Sequence, residues 1–91
     1  MVTKTTTVKN HPGLHARPAA LFTQAASKFE SKILISRVGS DKKANAKSIM
    51  MLLSLSISQG EQVEISAEGT DEQEAVDYLI ELIDKGLGEN N

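Results

Sequence analysis

The chain has 91 residues, 40% of them hydrophobic, which sets the expectation of one domain over 1–91 with a small core and no deep multi-lobed cleft. Cysteine is absent, so disulfides, thiolate metal sites and a cysteine nucleophile are all excluded. The net charge of −2 hides an asymmetry, with nine Lys/Arg against two acids in residues 1–59 and Lys85 against ten acids in residues 60–91.

A basic first half suits small anionic groups or acidic protein partners. The acidic total and a mere three aromatics (Phe22, Phe29, Tyr78) argue against a nucleic-acid partner. Residues 1–20 lack the apolar run of a signal peptide, and the longest apolar stretch, Ile49 to Leu53, is far too short to span a membrane. The expected location is the cytoplasm, without membrane insertion.

Threonine-rich Val2 to Lys9 predicts a first strand, broken by Asn10-His11-Pro12-Gly13. A helix should start at about His15, with Pro18 in its first turn and Ala19, Phe22, Ala26 and Phe29 on one apolar face. Lys32 to Val38 predicts a second strand, and Gly39-Ser40-Asp41 a turn into a short strand near Lys43 to Ala46. Ser48 is a candidate cap for a helix over about Ile49 to Ser56. Beyond Gly60, Val63, Ile65 and Ala67 alternate with Glu64, Ser66 and Glu68 as a half-buried strand. Thr70 with Gln73 predicts a capping box. It opens a last helix whose buried stripe is Ala75, Val76, Leu79, Ile80 and Ile83, with Glu72, Asp77, Glu81 and Asp84 facing water and a stop near Gly86. The order βαββαβα predicts an α+β fold, one sheet with helices covering one face.

His15 is the first candidate for chemistry. It stands at a helix start, where unpaired amides favour an anion, and a neutral imidazole is a good nucleophile. Arg17, two residues on, can grip phosphate oxygens with two hydrogen bonds. The same position equally suits a histidine that only caps the helix. His11 and His15 are four apart, but Pro12 and Gly13 between them rule against helical metal geometry, and no third ligand is evident. No nucleophile elbow, P-loop or dinucleotide fingerprint is present.

Arg17, Leu21, Gln24 and Lys28 form one stripe beside the buried face of the first helix, which suits protein docking around an anion; an ordinary boundary leucine reads the same way. Ile49 to Leu53 is apolar all round, so part of Met50, Met51 and Leu53 should stay exposed as an adaptable partner surface, unless the last helix or a second copy covers them. A phosphate on Ser48 would place negative charge beside that surface; a plain N-cap serine is the simpler alternative.

The string Gly13-Leu14-His15-Ala16-Arg17-Pro18-Ala19 resembles the histidine-containing phosphocarrier (HPr) family of the bacterial sugar phosphotransferase system, and the likeness runs end to end through Lys47-Ser48-Ile49-Met50 and the closing Gly86-Leu87-Gly88. The resemblance implies an open-faced β-sandwich, a four-stranded antiparallel sheet with three helices on one side. It implies that His15 takes a phosphoryl group from enzyme I as a pros-phosphohistidine, supported by Arg17, and passes it to EIIA components of sugar permeases. Such a protein is a carrier rather than an enzyme and needs no cofactor or metal. Leu21, Gln24, Ile49, Met50 and Leu53 become the expected partner-binding residues. In Gram-positive members the serine matching Ser48 is modified by HPr kinase/phosphorylase, and the product is a corepressor of catabolite control protein A. Two features depart from the family. Met51 stands where glycine is usual, and the turn from Gly39 to Lys43 is about two residues longer. Arg17 to Phe22, Asn45 to Ser48 and Asp71 to Ala75 also resemble the catabolite-repression paralogue Crh, which lacks the phosphoryl-accepting histidine; His15 favours the carrier.

Overall fold

Period-two alternation builds the centre of the sheet. In the computed structural model, which describes residues 1–11 and 13–87, Val63, Ile65 and Ala67 of one strand are buried while Gln62 and Glu68 at its ends are exposed. The elements in chain order are β1 (Val2–Thr7), α1 (Ala16–Ala26), β2 (Lys32–Arg37), β3 (Ala44–Asn45), α2 (Ile49–Ser54), β4 (Gln62–Glu68) and α3 (Glu72–Asp84). The strands lie in the order β1-β4-β2-β3, every pair antiparallel. β4 is central, with Ile65 opposite Lys4 on β1 and Ile35 on β2.

The three helices cover one face of this sheet, so the open-faced arrangement is as expected. Ile33, Ile35, Val63 and Ile65 meet Ala19 and Phe22 of α1, Leu52 of α2 and Ala75, Val76, Leu79 and Ile83 of α3 in one core. Full burial of each large aliphatic or aromatic side chain contributes roughly 1.5–3 kcal/mol. No helix among the described residues is long and apolar enough to cross a membrane.

Boundaries differ from the sequence reading where tertiary contacts decide them. β1 ends at Thr7, β2 at Arg37, and β3 shrinks to Ala44 and Asn45, paired with Ile35 and Leu34, while the Ala46 amide just beyond it still donates to the Ile33 carbonyl at 2.9 Å. α2 stops at Ser54, and Ser56 turns to φ +52° just beyond it. Phe29 lies past α1, half-buried, its ring 5.8 Å from that of Tyr78. Ile80 is half-buried at the edge of the α3 stripe.

The predicted capping box does not form. Asp71, not Thr70, is the N-cap residue of α3, and its carboxylate accepts from the amides of Glu30 (2.9 Å) and Ser31 (3.0 Å) and from the Ser31 hydroxyl. Glu72, not Gln73, accepts from the Gly69 amide at 3.1 Å. Asp77, Glu81 and Asp84 face water as expected and Glu72 is half-buried; Asp77 in addition takes Lys4 Nζ at 2.5 Å, and Asp84 takes the Thr6 hydroxyl. α3 ends as foreseen at Gly86, which adopts φ +83° while its amide donates to Ile83 and that of buried Leu87 donates to Leu82. Gly88 lies outside the described residues.

Candidate functional site

The approach to α1 is fixed by backbone pairing. Val8 exchanges bonds with the turn before β4, its amide donating to Glu61 at 2.9 Å and its carbonyl accepting from Gly60 at 2.8 Å. Gly13 forms a bridge with Ser58, and the Leu14 amide donates to Ile57 at 3.0 Å. Gly13 holds φ +119°, and a Cβ there would lie 2.6 Å from the Ile57 carbonyl oxygen, so no side chain fits. Buried Leu14 then anchors the chain immediately before His15.

The far side of this clamp is braced as well. Glu61 accepts from Arg37 Nε at 2.8 Å and from the Ser58 amide at 3.2 Å. The Arg37 hydrogen bond, foremost, holds the Glu61 carboxyl below its ordinary range. Arg37 also donates to the Ser56 carbonyl at 2.8 Å, so one guanidinium steadies the segment on which Gly13 and Leu14 rest.

His15 is the N-cap residue of α1, extended at φ −102° and ψ −168°, and its exposed side chain makes no capping hydrogen bond. The capping alternative is thus not what the imidazole does. The first intrahelical bond runs from the Ala19 amide to the His15 carbonyl at 2.7 Å, and Pro18 has no N–H to offer. Among the described residues, no group accepts from the amides of Ala16 and Arg17. Arg17 is exposed in this first turn, and no described residue pairs with its guanidinium. An exposed imidazole, two open amides and a guanidinium with no partner among the described residues therefore share one helix start, an arrangement that could accommodate a phosphoryl group.

Ser48 caps α2 as predicted, its Oγ accepting from the Met51 amide at 3.3 Å. Ile49, Met50, Met51 and Leu53 are exposed, Met50 by 77%, while Leu52 alone of the run is buried. Leu21 on α1 is exposed too. A shallow groove of about 410 Å³ between the helices brings Gln24 together with Ile49, lined also by Thr23, Ser27 and Lys47. Neither α3 nor any other described element covers this apolar surface.

His11 Nδ1 lies 3.2 Å from Gln59 Oε1, and among the described residues no three His, Asp or Glu side chains gather to hold a metal ion. Besides Arg37 and Glu61, sequence reasoning missed two further side chains. Lys47 donates to the Phe29 carbonyl at 2.6 Å, tying the start of α2 to the end of the α1 turn. Asn10, read as a strand breaker alone, is buried and donates through Nδ2 to the Gly13 carbonyl at 2.8 Å. The Asn10-to-Gly13 spacing was the one local signal; asparagine commonly bonds backbone a few residues away.

Comparison with known proteins converges on one family. The family description "PTS HPr component phosphorylation site" matches residues 2–85. The chain is 53% identical over 85 residues to the HPr-like protein Crh of Halalkalibacterium halodurans, covering 93% of this chain and 99% of that one. It is 45% identical over 82 residues to the phosphocarrier protein HPr of Treponema pallidum, covering 90% and 91%. Among solved structures, HPr-C-His from Thermoanaerobacter tengcongensis superposes with a TM-score of 0.94 at 53% identity over the whole of both chains. Fold, motif and relatives agree, and the chain belongs to the PTS HPr family.

Proposed function

We propose that this protein carries a phosphoryl group in the phosphoenolpyruvate-dependent sugar phosphotransferase system, receiving it on His15 from enzyme I and handing it to EIIA components. The observation that carries the reading is the uncapped, exposed imidazole of His15 beside the open amides of Ala16 and Arg17. Nδ1 of His15, the atom that the family resemblance indicates, attacks phosphorus on the phosphohistidine of enzyme I. A new N–P bond forms as the donor's N–P bond breaks, and the donor imidazole leaves with the electron pair. The Ala16 and Arg17 amides and the Arg17 guanidinium meet the transferred oxygens. Transfer to an EIIA histidine repeats the step with His15 as leaving group. The protein is consumed and regenerated stoichiometrically, as a carrier and not an enzyme. Incubation with enzyme I and phosphoenolpyruvate should place acid-labile phosphate on His15. Phosphate found on a hydroxyl alone, or none at all, would overturn the assignment.

A second role is favoured by the relatives named Crh and by the Ser48 cap beside an exposed apolar surface. Phosphorylation of Ser48 by HPr kinase/phosphorylase would put a dianion at the edge of Ile49, Met50 and Leu53, and the product would serve catabolite control protein A. Met51, exposed by 45% where the family usually has glycine, lies on this same surface, and Met51→Gly tests whether it limits modification of Ser48.

A further inference from the structure

We infer that Asn10 is a positioning residue for the phosphoryl-accepting loop, holding the backbone that leads into His15; the inference rests on the carrier reading of His15. Asn10 is only 5% exposed. Its Nδ2 donates to the Gly13 carbonyl at 2.8 Å, while its Oδ1 is buried with no hydrogen-bond partner among the described residues. Exchanging the two amide ends would set two acceptors face to face, so the orientation is determined. A buried amide oxygen without a donor is desolvated and uncompensated, so the one satisfied contact of this side chain is the bond it donates, and removing it would leave the Gly13 carbonyl without that donor. What the amide supplies is the bond to Gly13.

That bond acts two residues before His15. On one side Asn10 holds the Gly13 carbonyl; on the other, Ile57 and Ser58 hold the Leu14 amide and the Gly13 bridge. The His15 ring has no capping bond of its own, so its direction follows from the backbone that leads into it. In-line attack on phosphorus tolerates little misplacement, and losing one of two restraints should slow the transfer step without touching the exposed surface of α1 and α2.

The test is the rate of His15 phosphorylation by phosphoenolpyruvate and varied enzyme I, on the full chain and on Asn10→Leu. The expected result is a maximal rate about tenfold lower and an unchanged half-saturating enzyme I concentration, with the thermal midpoint read alongside to establish that the variant is folded. Asn10→Ala, which empties the position without crowding Gly13, should show the same split and decides the matter should the leucine variant not fold. A wild-type maximal rate in either folded variant, or a loss confined to half-saturation, would overturn the inference while leaving the carrier reading intact. Absence of acid-labile phosphate on wild-type His15 would overturn both.

Discussion

The His15 side chain gives α1 no hydrogen bond, so replacing it should leave the fold in place. His15→Ala is expected to abolish acid-labile phosphorylation by enzyme I while its unfolding midpoint stays within experimental error of wild type; retained acid-labile phosphate would remove the carrier assignment. On the carrier reading Arg17 would act differently, stabilising charge without supplying a bond to phosphorus. A charge-assisted hydrogen bond contributes roughly 1.5–3 kcal/mol, so Arg17→Ala should slow transfer by about one to two orders of magnitude. Arg17→Lys should recover little of this, since an ammonium lacks the planar two-pronged donor set. Transfer at the wild-type rate in Arg17→Ala would mean a mere surface charge. The placement of both residues was legible because the signal is local: a histidine, an arginine and a proline within four positions of a helix start. Asn10 was not, since its burial depends on Ile57 to Glu61 arriving from nearly fifty residues away.

At the level of elements, α2 is six residues capped by one serine, and its exposed side chains outnumber the buried Leu52. Ser48→Asp keeps an acceptor for the Met51 amide, so the helix should persist. If enzyme I docks on Ile49, Met50, Leu53 and Leu21, the added carboxylate must be desolvated at the edge of that contact. The variant should then need several-fold more enzyme I for half-maximal phosphorylation of His15, with the same maximal rate. Unchanged half-saturation would show that this surface is not where enzyme I binds. The elements themselves were largely readable, because β4 alternates cleanly and α3 carries a period near 3.6. The failures were non-local. The Thr70–Gln73 capping box had the right spacing, but Asp71 is drawn to Ser31, forty residues away in sequence, and Glu72 takes the Gly69 amide instead. β3 pairs with β2 over Ala44 and Asn45 alone, and no local pattern announces that limit.

For the whole molecule, the opposite charges of the two sequence halves meet in space. β1 lies against α3, so that the Met1 ammonium reaches Glu72 at 3.1 Å and Lys4 reaches Asp77 at 2.5 Å, while Arg37 reaches Glu61 at 2.8 Å. Each pair is partly exposed and individually weak, but all draw carboxylates in one direction. The Arg37 hydrogen bond lowers Glu61, the Ser31 hydroxyl lowers Asp71, the Gly69 amide lowers Glu72, and Lys4 lowers Asp77, relative to ordinary values of 4.5 for Glu and 3.8 for Asp. A carboxyl lowered on folding leaves the unfolded chain holding more protons in that window, so stability rises with pH there. The contribution is complete above the ordinary values and drains away as pH falls through them toward the lowered ones. Urea midpoints should therefore be level from about pH 7 to about pH 5 and decline steadily below that. Asp71→Asn isolates one contributor, because its amide cannot accept from Glu30, Ser31 and the Ser31 hydroxyl together as the carboxylate does. That variant should be less stable than wild type at pH 7, and the gap should narrow as pH drops below about 4, where wild-type Asp71 is itself becoming protonated. A constant gap across the range would show that the Asp71 contacts act by shape and not through the carboxylate's charge.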